Sequence, residues 1–164
     1  MRKGLMILAF VVLLVTLLGA VAVLYGMNTL TPEVVQVVSS VIPADQAQDT
    51  FYSALDACSS GLFGGRIFGD PLAYDAQQCS FVTYTVRLHN RGFFPAEWIA
   101  LQASSVQGDL LELPGGGANV LPAGAQGDLS VTVLTSLEKP LAHRAIEVTC
   151  YVFGRKQTML VQTD

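Results

Sequence analysis

The sequence predicts a mainly β protein: an apolar N-terminal helix, then an antiparallel β-sandwich with one short helical insertion. Three observations lead there. Leu5 to Met27 runs for 23 residues without a charge. From Phe81 onward, apolar and polar residues alternate with period 2 in short segments, the pattern of half-buried strands. Most of the 15 Gly and 7 Pro fall between those segments, where turns are needed.

The apolar run comes first in the chain. At ~1.5 Å rise per residue a helix of this length crosses the ~30 Å hydrocarbon layer of a bilayer. A lone segment can cross only as a helix, because a helix satisfies its own backbone polar groups. Arg2 and Lys3 precede the run, and the next basic residue is Arg66. Basic residues stay on the cytoplasmic side. Residues 1–30 are therefore expected to anchor the chain in the cytoplasmic membrane, spanning about 5–27, with the N-terminus inside. Residues 31–164 are expected to form an extracytoplasmic domain. A cleaved signal peptide competes, with Ala20-Val21-Ala22 as its cleavage site. The run continues through Val23, Leu24 and Tyr25, beyond the ~7–15 residues of a signal core, which favours an uncleaved anchor. The Arg-Lys-Gly start resembles a type IV pilin leader, yet Met6 to Ala9 lack the acid that leader requires. Gly19, Ala22 and Gly26 share one helix face, where small residues let a second helix approach. Such residues are also common in spans that have no helix partner.

Pro32 ends the helix. Glu33 to Ile42 (EVVQVVSSVI) fits a helical stripe of valines, but its β-branched density favours a strand. Pro43 suits a helix start. After it, Ala47, Phe51, Ala54, Leu55 and Cys58 make one apolar face at helical spacing. Residues 59–78 read as a Gly-rich loop, so 44–78 form a helix-and-loop insertion. Phe63 and Phe68 in that loop are either exposed or cover an open end of the core.

The strands follow. Val82, Tyr84, Val86 and Leu88 point inward, and Asn90-Arg91-Gly92 supplies a turn. Glu97 to Ser105 is the next strand, with Ile99 and Leu101 inward and Trp98 on the other face. Asp109 to Leu113 is a short strand, and 114–128 reads as loop and turn. Leu129, Val131 and Val133 alternate in the strand after it. Ile146, Val148, Cys150 and Val152 face inward in another. Gly154-Arg155 fits a type II′ hairpin turn into a last strand, Lys156 to Gln162.

Composition excludes several function classes. Net charge is −4 and the 9 basic residues are scattered, so nucleic acid has no electrostatic footprint and anionic lipid no basic patch. His89 and His143 are isolated, and no G-x-S-x-G elbow occurs. Gly115-Gly116-Gly117 lacks the Lys-Ser/Thr of a phosphate loop. Asp70 and Asp75 lack calcium-loop spacing, and the cysteines lack zinc spacing. The chain is expected not to be an enzyme, and no catalytic residue, metal ligand or cofactor is assigned. Two states fit Cys58, Cys79 and Cys150, and the first is the one expected. In one, Cys58–Cys79 bridge the Gly-rich loop while Cys150 stays a buried thiol. In the other, all three are free.

The segments FVTYTVRLHNRGFFPAEWIAL, VLPAGAQGDLSVTVL and AIEVTCYVFG share a cadence. A strand ending Leu-His-Asn-x-Gly leads to Pro-Ala and a second strand, and a Leu-Pro-Ala-Gly turn leads to a third. Over residues 81–162 this resembles the immunoglobulin-like, cell-adhesion-related (CARDB-like) domains of bacterial surface proteins. The resemblance implies a Greek-key sandwich with a non-catalytic binding or spacer role, and carries over no functional residue. The expectation is a module that contacts another envelope protein. Its contact surface would be Phe63, Phe68, Phe93, Phe94 and Trp98, or an open sheet edge taking a partner strand. The alternatives are a small structural subunit that assembles through its span, and a ligand-binding domain with its site in 59–78.

Overall fold

A computed structural model describes residues 2–28, 31–117, 119–136, 140 and 143–163. Helix α1 covers Arg2–Asn28. Its stretch Met6–Leu24 is, among the described residues, the one helix long and apolar enough to cross a membrane, and none of it is buried against the rest of the chain. Thr16, a polar residue inside this stretch, donates its hydroxyl back to the Val12 and Leu13 carbonyls at 3.0 and 2.9 Å. No polar group there is left facing outward unpaired.

Strand β1 covers Glu33–Pro43, so β-branching prevails over the helical stripe. A one-residue irregularity between Val34 and Gln36 resets its phase. Val34, Val37 and Val41 then lie against the core, while Val35, Val38 and Ile42 stay exposed. A single 3₁₀ turn, Ala44–Ala47, leads into α2, Gln48–Ser59. The remaining strands are β2 (Arg66–Ile67), β3 (Ser80–His89), β4 (Ala96–Ala103), β5 (Asp109–Glu112), β6 (Gly116–Gly117), β7 (Val120–Leu121), β8 (Gln126–Thr135), β9 (Ala145–Val152) and β10 (Arg155–Gln162).

All pairings are antiparallel. One sheet runs β1-β3-β8-β5-β2, with β6 also on β8; the other runs β10-β9-β4-β7. Without the two-residue strands, four face three in the order β1-β3-β8-β5 against β10-β9-β4. That is the strand order of an immunoglobulin constant-type sandwich. The main core lies between the sheets: Val82, Tyr84, Val86, Leu88, Val131, Val133, Ile146, Val148, Cys150 and Val152 are each at most 1% exposed. Period-2 alternation had marked every one of these as inward.

A second apolar cluster lies on the outer side of the four-stranded sheet. Phe81, Leu134 and Leu111 point away from the main core and meet Phe51 and Ala54 of α2, with Ala44, Ala76 and Cys79. Residues 59–78 are not a loose loop. Arg66 clamps Glu112 through Nε–Oε1 at 3.0 Å and Nη2–Oε2 at 2.7 Å, and also donates to the Ala103 carbonyl. A Cβ on Gly65 would collide with the Glu112 carbonyl oxygen, so only Gly lets this segment lie on β5. Asp109, on the same strand, holds Arg144 at 2.7 Å with both side chains fully buried. The Arg144 guanidinium also lies 5.5 Å from the centre of the Tyr84 ring.

Three expectations change. The expected Cys58–Cys79 bridge is not formed, and all three cysteines are free thiols. Cys79 packs in the second cluster and Cys58 beside it. The hairpin turn is Phe153–Gly154, not Gly154-Arg155, because Val152 pairs with Arg155. Both turn residues have positive φ, 51° and 72°, which makes the turn type I′ rather than II′. The stretch after Glu112 also contributes β6 and β7, short ladders that Gly-rich composition hid.

Candidate interaction surface

The two sheets differ on their outer sides. The four-stranded sheet is partly roofed by α2 and the following segment. Nothing among the described residues roofs the three-stranded sheet. Glu97 and Tyr151 are register partners across β4 and β9, and Tyr151 pairs with Lys156 across β9 and β10. All three side chains are exposed. Trp98 joins them at 73% exposure, and Leu160 at 71% lies further along β10. Glu97, Trp98, Tyr151 and Gly154 line a shallow depression of about 400 Å³.

Trp98 has an unusual backbone. The β4–β9 register slips between Glu97 and Ala100, and Trp98 takes φ 51°. This is a β-bulge that turns two consecutive side chains, Glu97 and Trp98, outward between buried Ala96 and Ile99. A left-handed conformation costs a non-Gly residue ~1 kcal/mol or more. An exposed indole also forgoes the ~2 kcal/mol or so that burial of a large apolar side chain returns. Neither cost is offset by packing within the domain.

At one end of this face the β3–β4 loop and the β9–β10 turn meet. Phe93 is 83% exposed and Phe153 63%. The Phe94 and Phe153 rings pack at 4.9 Å between centroids. Asn90 holds the loop: it is fully buried, donates to the Phe94 and Leu121 carbonyls at 2.8 and 3.0 Å, and accepts from Gly92 N–H at 3.0 Å.

The five aromatics singled out in the sequence therefore do not form one surface. Phe94 packs on Phe153 in the loop end, with Phe93 exposed in the same loop, and Trp98 lines the depression with Tyr151 and Gly154 on the adjoining sheet face. Phe63 instead packs beneath α2 against the second cluster, and Phe68 lies under the Arg66 guanidinium at 5.0 Å. Tyr151 and Phe153 complete the surface and were not singled out. Tyr151 could have been found from the parity of β9, since its neighbours Cys150 and Val152 face inward; Phe153 needed the turn position. In the helix, Gly19 and Ala22 lie on exposed surface, and a Cβ on Gly19 would meet nothing within 4 Å. The side-chain surroundings of position 26 lie outside the described residues.

The buried carboxylates do structural work. Asp109 accepts from Val106 N–H at 2.8 Å besides holding Arg144, and Glu112 accepts from Ala103 N–H at 2.8 Å besides holding Arg66. Burial pushes the thiols of Cys79 and Cys150 and the Tyr84 hydroxyl above their ordinary pKa values. No group of three His, Cys, Asp or Glu side chains able to hold a metal occurs among the described residues.

No protein-family model matches the chain, and no curated protein matches it. Among solved structures, the crystal structure of the yeast GGA1 GAE domain is similar over 51% of this chain and 77% of that one, with 16% identity and a TM-score of 0.39. At that level no residue, partner or activity carries across. The β-sandwich assignment rests on the strand order above.

Proposed function

We propose that the chain is a non-catalytic, membrane-tethered β-sandwich that binds another protein of the cell envelope through the bare outer face of its three-stranded sheet, around Trp98. The observation that carries this reading is Trp98 itself: an exposed indole on a positive-φ bulge with no packing return inside the domain. Backbone strain of this kind persists where function requires a side chain to be aimed. Tyr151 and Glu97 beside it supply the aromatic-plus-polar mix typical of protein contact sites. The tether is α1, with Arg2 and Lys3 holding its start on the cytoplasmic side and the sandwich outside.

Capture from detergent-solubilised membranes tests the contact. A partner recovered with the intact chain, lost with Trp98→Gly and kept with Tyr52→Ala on α2, over the opposite sheet, is the expected result. Identical recovery with all three would sink it. Protease protection with and without detergent checks which side the sandwich occupies.

A further inference from the structure

The two ends of the sandwich carry different chemistry. At one end lie Pro43, Ser80, Thr135 and the 44–78 segment. Asp45, Asp49, Asp56, Asp70 and Asp75 are all exposed on that segment, against one basic residue, Arg66. At the other end, one strand length away (~30 Å for ten residues), lie Glu33, His89, Gln126 and Val152. This end carries Phe93, Phe94 and Phe153, with Arg91, Arg155 and Lys156 beside them and the carboxylates of Glu33, paired with Arg91, and Glu97 nearby.

The chain leaves the apolar helix at this aromatic end. Helix α1 stops at Asn28 and β1 starts at Glu33. Five Cα steps of at most ~3.6 Å limit the gap to about 18 Å, whatever path the connection takes. A span in the bilayer therefore holds this end of the sandwich at the lipid surface and the acidic end away from it. Arg91 ties the β3–β4 loop back to that entry point by pairing with Glu33 at 2.7 Å.

We propose that this end rests on the bilayer, with Phe93 and Phe153 seated in the interface between headgroups and acyl chains. The inference rests on the tethered reading above and adds an orientation to it. Phe, like Trp and Leu, is a side chain that interfacial segments bury at the boundary between headgroups and acyl chains. Exposed phenyl groups on two adjacent connections bury their apolar area there without requiring a protein partner. Arg155 and Lys156 flank the rings and reach headgroup phosphate while their stems lie along the apolar layer. Docking the tip upright leaves the Trp98 face open sideways, parallel to the membrane, for the protein contact.

The test uses the full chain in neutral phosphatidylcholine vesicles. Trp98 is the chain's single tryptophan, so Trp98→Phe gives a silent background. In it, Phe93→Trp reports on the tip and Tyr52→Trp, on α2, reports on the far end. Tyr52 is 59% exposed and Phe93 more so, so neither change disturbs the core. Insertion is checked in the same samples by resistance to alkaline carbonate extraction. Brominated acyl chains are expected to cut the Phe93→Trp emission to about half, as for a group ~5–10 Å into the interface, while aqueous iodide leaves it bright. Tyr52→Trp is expected to show the reverse. An inserted chain whose Phe93→Trp emission yields to iodide, as Tyr52→Trp does, overturns the docking and leaves the tether standing. Shielding of the tip from both quenchers overturns it in favour of a protein contact at that end. Lipid quenching of both sites overturns the orientation. Release by carbonate overturns the tether, and the docking with it.

Discussion

The outer faces of the two sheets solve opposite problems. On the four-stranded sheet, Phe81, Leu111 and Leu134 point away from the main core, and α2 with its following segment covers them to 4% exposure or less. On the three-stranded sheet, Trp98, Tyr151 and Leu160 point outward and stay bare at 40% exposure or more. Apolar area left uncovered forgoes about 25 cal/mol per Å². The chain covers the β3-β8-β5 part of one face, leaving Val35, Val38 and Ile42 of β1 exposed, and supplies no cover, among the described residues, for the other face. The difference teaches where to look for a partner: the face whose aromatics have no internal roof.

Removing the roof should have the largest effect. Phe51 is the largest apolar side chain that α2 buries, at 1% exposure. Phe51→Ala is expected to cost about 3–5 kcal/mol in denaturant unfolding. Hydrogen exchange should rise first in residues 44–79 and last in β3, β8 and β9. Uniform loss of protection would show that the two clusters fold as one unit.

The bare face should respond with the opposite sign. Trp98→Gly relieves the positive φ and removes no buried contact, so it is expected to raise stability by up to about 1 kcal/mol while abolishing partner capture. Destabilisation by more than that would show that the indole is packed, and the contrast between the faces would fail.

The smallest effect comes from pH. Cys79 belongs to the roofed cluster, where burial and then the nearby Asp75 charge raise its pKa; Cys150 belongs to the main core, where burial alone raises it. In the unfolded chain a thiol ionises near ~8.5. A folded pKa raised above that value gives stability that is complete below pH ~8.5 and falls as pH rises through the folded value. Unfolding midpoints are expected to be flat from neutral to about pH 8 and to drop above it. Cys79→Ala should flatten the part of that slope owed to the roofed cluster, measured against a control at pH 7. An unchanged slope would mean that Cys79 ionises as freely folded as unfolded.

Much of this was legible before any coordinates. Val82, Tyr84, Val86 and Leu88 alternate because a strand presents one side per two residues, and that rule needs no tertiary information. The α2 face of Phe51, Ala54 and Leu55 was legible for the same kind of reason. The aromatic surface was half legible. A single letter string marks Phe93, Phe94 and Trp98 as conspicuous, but cannot say that Phe63 and Phe68 lie at the opposite end, since that depends on which strands pair. The Trp98 bulge left no mark either, because a one-residue slip is a property of two strands in register. The buried Arg144–Asp109 pair joins residues 35 positions apart and shows no local pattern at all.

The amino-acid order alone determined the apolar helix, the inward sets of β3, β4, β8 and β9 and the sandwich class, because periodicity and hydrocarbon thickness act on neighbours along the chain. Tertiary structure decided which face is roofed, where the aromatics converge and which end the helix enters. Those depend on strand order and register, which bring together groups far apart in sequence and so leave no signature in any short stretch of it.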